Sequence, residues 1–308
     1  MSSASTAPHI AAHIATELHV PEANVLAALG LIAEGNTVPF IARYRKEATG
    51  GLDDTQLRTI EERATYLTEL ADRKQTILAA IEEQGKLTDD LKALILACDT
   101  KARLEDLYLP YKKRRKTKAD AAREAGLEPL LDRLIAEPHG DPVVAAEAYV
   151  CDGFEDPKKV LDGARAILID RFALDANLVG ELRETMYSAG SMESQVVEGK
   201  EQDGAKFTDY FSFAEPFTSL PSHRILALFR GEKEGVLHLN LNAGDDDHYC
   251  GIIANQFELD TSSSWLADAI RWGWKTKLYI SSGLDIRMRL KETERFRSEE
   301  RRVGKECR

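Results

Sequence analysis

From Ile10 to about Gly190 the apolar positions recur at three- and four-residue spacing, the period of helices buried along one stripe. Val25, Leu26, Leu29 and Ile32 predict a helix through Ala33, with Pro21 as its first residue. Gly35 can close that helix by taking positive φ, and Pro39 stops any helix from running through. A longer helix is predicted from Asp53 to Gly85. Its Leu57, Ile60, Ala64, Leu67, Leu70, Ile77, Leu78 and Ile81 fall near one face, and Asp53 with Gln56 forms a capping box at its start. Asp156 and Pro157 read as the cap and first turn of a helix carrying Val160, Leu161, Ala164, Ile167 and Leu168. Asp175 caps the next, to Gly190, and the two suit an antiparallel hairpin.

Past Gly190 the texture changes. Val196 and Val197 after Ser194, the turn from Gly199 to Ala205, and the alternation from Val236 to Leu241 are strand and hairpin signals. Ser222 to Arg230 reads as a short helix with Ser222 as its cap, and Ser263 onward as a long one bearing Trp265, Leu266, Ile270, Trp272 and Trp274. The expected fold is mainly α. A multi-helical lobe with helix-turn-helix-like pairs covers residues 1–190, and a smaller mixed α/β lobe leading into a long C-terminal helix covers 191–296.

The composition suits a chain with a sizeable core and more than one lobe: 308 residues, 43% hydrophobic. No uncharged apolar run is long enough to cross a bilayer, and the N-terminus lacks the basic start and apolar stretch of a signal peptide, so no membrane partner and a cytoplasmic location are expected. Cys98, Cys151 and Cys250 lie far apart without metal-ligand spacing, which predicts buried free thiols.

A net charge of −11 argues against indiscriminate coating of nucleic acid but leaves room for local basic patches. The first candidate is Lys112, Lys113, Arg114, Arg115 and Lys116, with Lys118, preceded by Tyr108 and Tyr111. Clustered cations bind phosphates by releasing counterions, and aromatics offer stacking platforms for unpaired bases. Thr117 with Asp120 opens a helix here, whose amides favour anions. The other reading of this run is a solvated basic loop, or one paired with the chain's own acids. Arg43, Arg45 and Lys46 form the second candidate. They fall in a connection, and the helix after it opens with Asp53 and Asp54, which repel phosphate. Clamping helix ends or carboxylates is therefore favoured there over reading a DNA groove.

Catalytic signals are weak. Asp245, Asp246, Asp247 and His248 could be imagined as metal ligands, but a contiguous run fixes no coordination geometry, and a solvated loop is the expectation. His223 has no partner nucleophile in sight, and no Walker-type loop, GxSxG or HExxH occurs. The tryptophans suit core or interdomain packing more than base stacking. No catalytic residue, metal or cofactor is expected.

Several long blocks, in order, resemble one family. They are EGNTVPFIARYRKEATGGLDDTQL from Glu34, EEQGKLTDDL from Glu82, DTKARLEDLYLPYKKRRKTKADAAREAGLEPL from Asp99, KFTDYFSFAEPF from Lys206, PSHRILALFRGEKEGVL from Pro221 and WLADAIRWGWKTKLY from Trp265. Between about His9 and Phe296 the chain resembles the N-terminal region of the Tex family of bacterial RNA-binding transcription accessory proteins. The resemblance implies a longer protein, continuing into an RNase-H-like domain, helix-hairpin-helix elements and an S1 domain to which nucleic-acid binding is chiefly attributed. Residues 297–308 depart from the family and resemble a translated sequencing-library adapter, so they read as an assembly scar. The implied function is an RNA-binding scaffold in transcription, not an enzyme, meeting RNA or single strands mainly through the later domains. The competing expectation is a protein-interaction module docking RNA polymerase or an associated factor. A metal-dependent nuclease working through Asp245 to Asp247 is a third and disfavoured reading.

Overall fold

The computed structural model describes residues 6–112 and 115–306, with side chains described over 9–112 and 115–292. It divides into two compact units, one ending at Glu105 and one beginning at Asp106.

The first unit contains helices α1 (Thr6–Leu18), α2 (Glu22–Ala33), α3 (Val38–Tyr44), α4 (Asp54–Glu83) and α5 (Asp89–Ala97), and most of α6 (Lys101–Tyr108). Its core joins Ile10, Ile14, Val25, Ala28, Val38, Ile41, Leu57 and Ile60 from α1 to α4. The expected stripe on α4 is seen: Leu57, Ile60, Leu70, Ile77, Leu78 and Ile81 are buried, with Ala64 and Leu67 packed beside them. Its capping box is closed, the Asp53 carboxylate accepting from Gln56 N at 2.7 Å and the Gln56 side chain accepting from Asp53 N at 3.0 Å. Gly35 takes φ +88° after α2, as its place requires. Pro39 does more than end a helix. It sits in the first turn of α3, where a missing N–H costs nothing, and starts a helix the apolar period is too short to reveal.

The second unit continues with a 3₁₀ turn (Leu109–Tyr111) and helices α7 (Lys118–Glu124), α8 (Glu128–Ala136), α9 (Pro142–Glu147), α10 (Pro157–Leu174) and α11 (Ala176–Ala189). Asp156 and Asp175 cap α10 and α11 through Lys159 N and Leu178 N, as expected. Helices then give way to a three-stranded antiparallel sheet of β1 (Ser191–Val196), β2 (Ser212–Pro216) and β3 (Leu237–Asn242), with β1 in the centre. Ser191 pairs with Pro216 on one side and Asn242 on the other. Strand β2 escaped the sequence reading, because five residues ending in proline make too short a run to show alternation. Around the sheet lie α12 (Ser222–Lys233), α13 (Asp246–Gln256), α14 (Ser264–Gly273), a π-helical turn (Trp274–Leu278) and α15 (Tyr279–Glu306). One apolar core runs from Ala122 to Leu290 and includes Leu168, Phe172, Phe217, Tyr249 and Trp274.

Several expectations need correction here. Ser222 is not a cap: it is a buried residue in the first turn of α12, whose cap position is Pro221 with no side-chain bond. Asp245 to Asp247 are not a solvated loop but the start of α13. Of the three tryptophans only Trp274 is fully buried, while Trp265 is half-buried against the core and Trp272 is 55% exposed. The three cysteines in the described residues are free, but only Cys98 is buried. No helix among the described residues is long and apolar enough to cross a membrane.

Candidate nucleic-acid interface

The basic run follows the turn Leu109–Tyr111, which is locked by Lys112 N bonding to Tyr108 O at 3.1 Å. Lys113 and Arg114 lie outside the described residues. Lys112, Arg115, Lys116 and Lys118 are exposed. Lys116 pairs with Glu124 across α7, which removes it in part from phosphate contact. Among the described residues no ion pair holds Lys112, Arg115 or Lys118. Tyr108 and Tyr111 are half-buried rather than presented, which weakens them as stacking platforms.

The start of α7 is already occupied. Thr117 N and Thr117 Oγ1 both donate to Asp120 Oδ2 at 2.8 Å, and Asp120 N donates to Thr117 Oγ1 at 3.2 Å. The predicted capping box is therefore present, and its own carboxylate fills the place an external anion would take. What remains for phosphate is the set of lysine and arginine heads, not the helix terminus.

The second cluster departs from its sequence reading. Arg43 is in the last turn of α3, and Arg45 and Lys46 follow it; all three are exposed. Among the described residues none of them makes an ion pair or a side-chain hydrogen bond, so the expected clamp on helix ends or carboxylates is not formed. Nor are Asp53 and Asp54 idle charges. Asp53 is engaged by the amide of Gln56, and Asp54 by Arg58 Nε at 2.7 Å. The backbone beneath the cluster is stiff: the buried Thr49 donates its hydroxyl to Lys46 O at 3.1 Å, and Gly51 N donates to the same carbonyl at 2.9 Å. Gly50 sits at φ +65°, a backbone conformation that strains any other residue, and a Cβ there would press on the Asn24 side chain. Sequence reading also missed that Tyr44 and Phe40 are both exposed on this helix; the i, i+4 spacing was a signal for their pairing but not for their exposure.

The acidic run before α13 is tied into the fold. Asp245 accepts from Asp247 N at 3.0 Å as a helix cap. Asp246 accepts from the Trp274 indole at 2.7 Å and pairs with Lys275 at 3.0 Å, and Asp247 pairs with Arg271 at 2.8 Å. These bonds hold Trp274 flat against Tyr249, with ring centroids 4.2 Å apart and planes within 5°. The wider π turn points Trp274 inward at the cost of one extra residue per turn. Carboxylates committed to an indole, a lysine and an arginine are anchors of tertiary structure.

Comparison with known proteins places these features in a family. Residues 8–82 match the Tex-like protein N-terminal domain, and residues 137–295 match the Tex central region-like family. The chain is 50% identical over 286 residues to the transcriptional accessory protein Tex of Neisseria gonorrhoeae, an alignment covering 91% of this chain and 38% of that protein. It is 50% identical over 280 residues to protein YhgF of Escherichia coli, covering 87% and 36%. A human protein named S1 RNA-binding domain-containing protein 1 is 30% identical over 231 residues, covering 71% of this chain and 23% of its own length. The chain thus spans well under half the length of these relatives.

Proposed function

The chain belongs to the Tex family, and from that premise we propose that it is the N-terminal part of a transcription accessory protein that binds RNA, serving as a helical scaffold that adds a sequence-independent backbone contact. The observation that carries the contact is the exposed set Lys112, Arg115 and Lys118, unpaired among the described residues and set at a junction held by the Lys112 turn and the α7 cap. Such cations gain affinity by counterion release, with no demand on base sequence. The scaffold reading assigns no catalysis; supporting it, each carboxylate of the Asp245 to Asp247 run is engaged within the fold.

Fluorescence anisotropy of the 308-residue chain against single-stranded RNA across a salt series tests this proposal. Neutralising Lys112, Arg115 and Lys118 to glutamine is expected to flatten the dependence of log K on log salt by about 2, since each phosphate contact on a single strand contributes roughly 0.7. Binding that the triple variant leaves untouched sinks this site. A second reading, a module docking RNA polymerase or an associated factor, is favoured by exposed apolar side chains at four-residue spacing on the last helix, Ile280, Leu284 and Met288. That reading predicts a protein complex formed with no RNA affinity at any salt.

A further inference from the structure

We infer that the solvent face of α9, where Val143, Val144 and Val150 stand with Asp141, Glu147 and Asp152, is a docking surface for an apolar segment of a protein partner that carries lysine or arginine. The helix is packed the reverse of what burial of apolar area alone would select. Its alanines face inward: Ala145 and Ala146 are 8% and 0% exposed and join the core of the second unit, with α8 and α10 packed against the helix. Its valines face water, Val143 at 49% and Val144 at 62%, with Val150 at 44% just past its end. The backbone fixes this arrangement. Asp141 Oδ1 accepts from Val143 N at 2.8 Å, and Tyr149 N donates to Ala146 O at 3.0 Å, so the helical sense runs on towards Val150. Residues three, four and seven apart share a helix face, which groups the exposed Val143, Val144, Glu147, Ala148 and Val150.

Alanine is the better helix former, so valine at the exposed positions of a six-residue helix contributes nothing locally. Grouped on one face, such side chains form an apolar patch suited to contact with another molecule. The surrounding charge selects the kind of molecule. From Asp141 to Asp156 the chain has five acids and no lysine or arginine. Asp141 and Asp156 cap helices and Glu155 pairs with Lys159, whereas Glu147 and Asp152 are exposed and form no ion pair among the described residues. Such a rim repels phosphate backbones and anionic lipid surfaces, which leaves a polypeptide. An apolar segment flanked by cations complements it. The valine methyls supply the dry centre, while the carboxylates speed encounter and reject acidic competitors. A helix already packed on two neighbours loses little entropy on binding. The inference does not depend on the nucleic-acid reading above.

The test uses the 308-residue chain and two fluorescent synthetic helices of about 14 residues, or four turns. Both carry leucines along one face, flanked by lysines in the first peptide and by glutamates in the second. The lysine peptide is expected to bind and the glutamate peptide is not. Val143→Ala with Val144→Ala should weaken binding about fivefold or more, because four methyl groups leave the contact. The thermal midpoint of that variant should hold or rise, because alanine favours the helix. Glu147→Gln with Asp152→Asn should also weaken binding and flatten its salt dependence. The same neutralisation at the exposed Glu198 and Glu201 should leave binding as it was. Absence of binding, equal binding of the glutamate peptide, or binding untouched by the alanine pair overturns the surface. Equal loss on neutralising Glu198 and Glu201 overturns it too, since that is general attraction to a chain of net charge −11. Sedimentation of the native chain adds a last outcome: a dimer that the alanine pair splits makes a second copy the occupant and overturns the partner named here.

Discussion

Arg183 ties a buried charge of the second unit to two other elements. It is buried on α11 and grips Asp106 with both terminal nitrogens, at 3.0 and 2.7 Å, while reaching Asp285 on α15 at 3.3 Å. Burial pushes the Asp285 carboxyl up, against the pull of Arg183. Removing one member strands a buried charge, and that penalty exceeds anything the intact pair contributes over an apolar replacement. Arg183→Ala should therefore cost about 3–5 kcal/mol, read as a lowered urea midpoint, whereas a joint exchange of Arg183 and Asp106 for apolar residues should cost far less. Asp246 acts in the other direction. The hydrogen bond from the Trp274 indole, with help from Lys275, holds its carboxyl below the ordinary 3.8 despite partial burial. A group depressed in the fold contributes stability above its unfolded pKa and loses it as pH falls through the lowered value. Asp246→Asn should thus flatten the loss of stability below about pH 4, measured as urea midpoints at pH 3 and pH 7. Trp274, with Trp265 and Trp272, supplies the fluorescence that reports unfolding.

Among the elements, capping separates what is local from what is not. α4, α7, α10 and α11 each begin at an Asp or Thr whose side chain accepts from a backbone amide of the first turn. These are short-range bonds, and four of them were visible as residue pairs three apart or as Asp before a periodic run. Asp53→Ala removes the half of the box in which the Asp53 carboxylate accepts from Gln56 N, leaves the backbone N–H of residue 53 to the Gln56 side chain, and should cost about 1 kcal/mol, seen as a lower thermal midpoint, with faster amide exchange confined to the first turn. α3 shows the opposite case. Seven residues give no readable period, its cap Thr37 makes no side-chain bond, and only Pro39 in its first turn marks it. The same holds for β2, which exists as a strand because β1 offers its edge from Ser191 to Gln195. An element of five residues is marginal alone and is defined by its partner.

Taken as a chain of two units with separate cores, the protein carries −11 charges, yet among the described residues exposed cations without an ion pair cluster at Arg43, Arg45 and Lys46 and at Lys112, Arg115 and Lys118. The overall field opposes a polyanion at long range, while the patches act within a Debye length of roughly 8–10 Å. Raising salt therefore weakens the patch contacts and also screens the unfavourable field. For this reason the salt slope of the neutralised variants, rather than affinity at one salt, is the informative quantity for RNA binding. A slope unchanged between the native chain and both neutralised variants would mean that neither patch touches phosphate.

The helical character, the stripe of α4, the caps at Asp53, Thr117, Asp156 and Asp175, the strands near Ser194 and Val236, and the family itself were all legible in order of residues alone. Period and capping are set by contacts within a few positions, so they survive without knowledge of the fold. Exposure and pairing are different. Whether Arg43, Arg45 and Lys46 would clamp a carboxylate or stand free, and whether Asp53 and Asp54 would repel phosphate or be engaged, depended on neighbours brought together by folding. Whether Asp246 would hydrate or anchor an indole depended on Trp274, 28 residues away, being turned inward by a π turn. Charge on a side chain is a property of the residue; what that charge faces is a property of the packed structure, because burial and hydrogen bonding are decided across the chain and not along it.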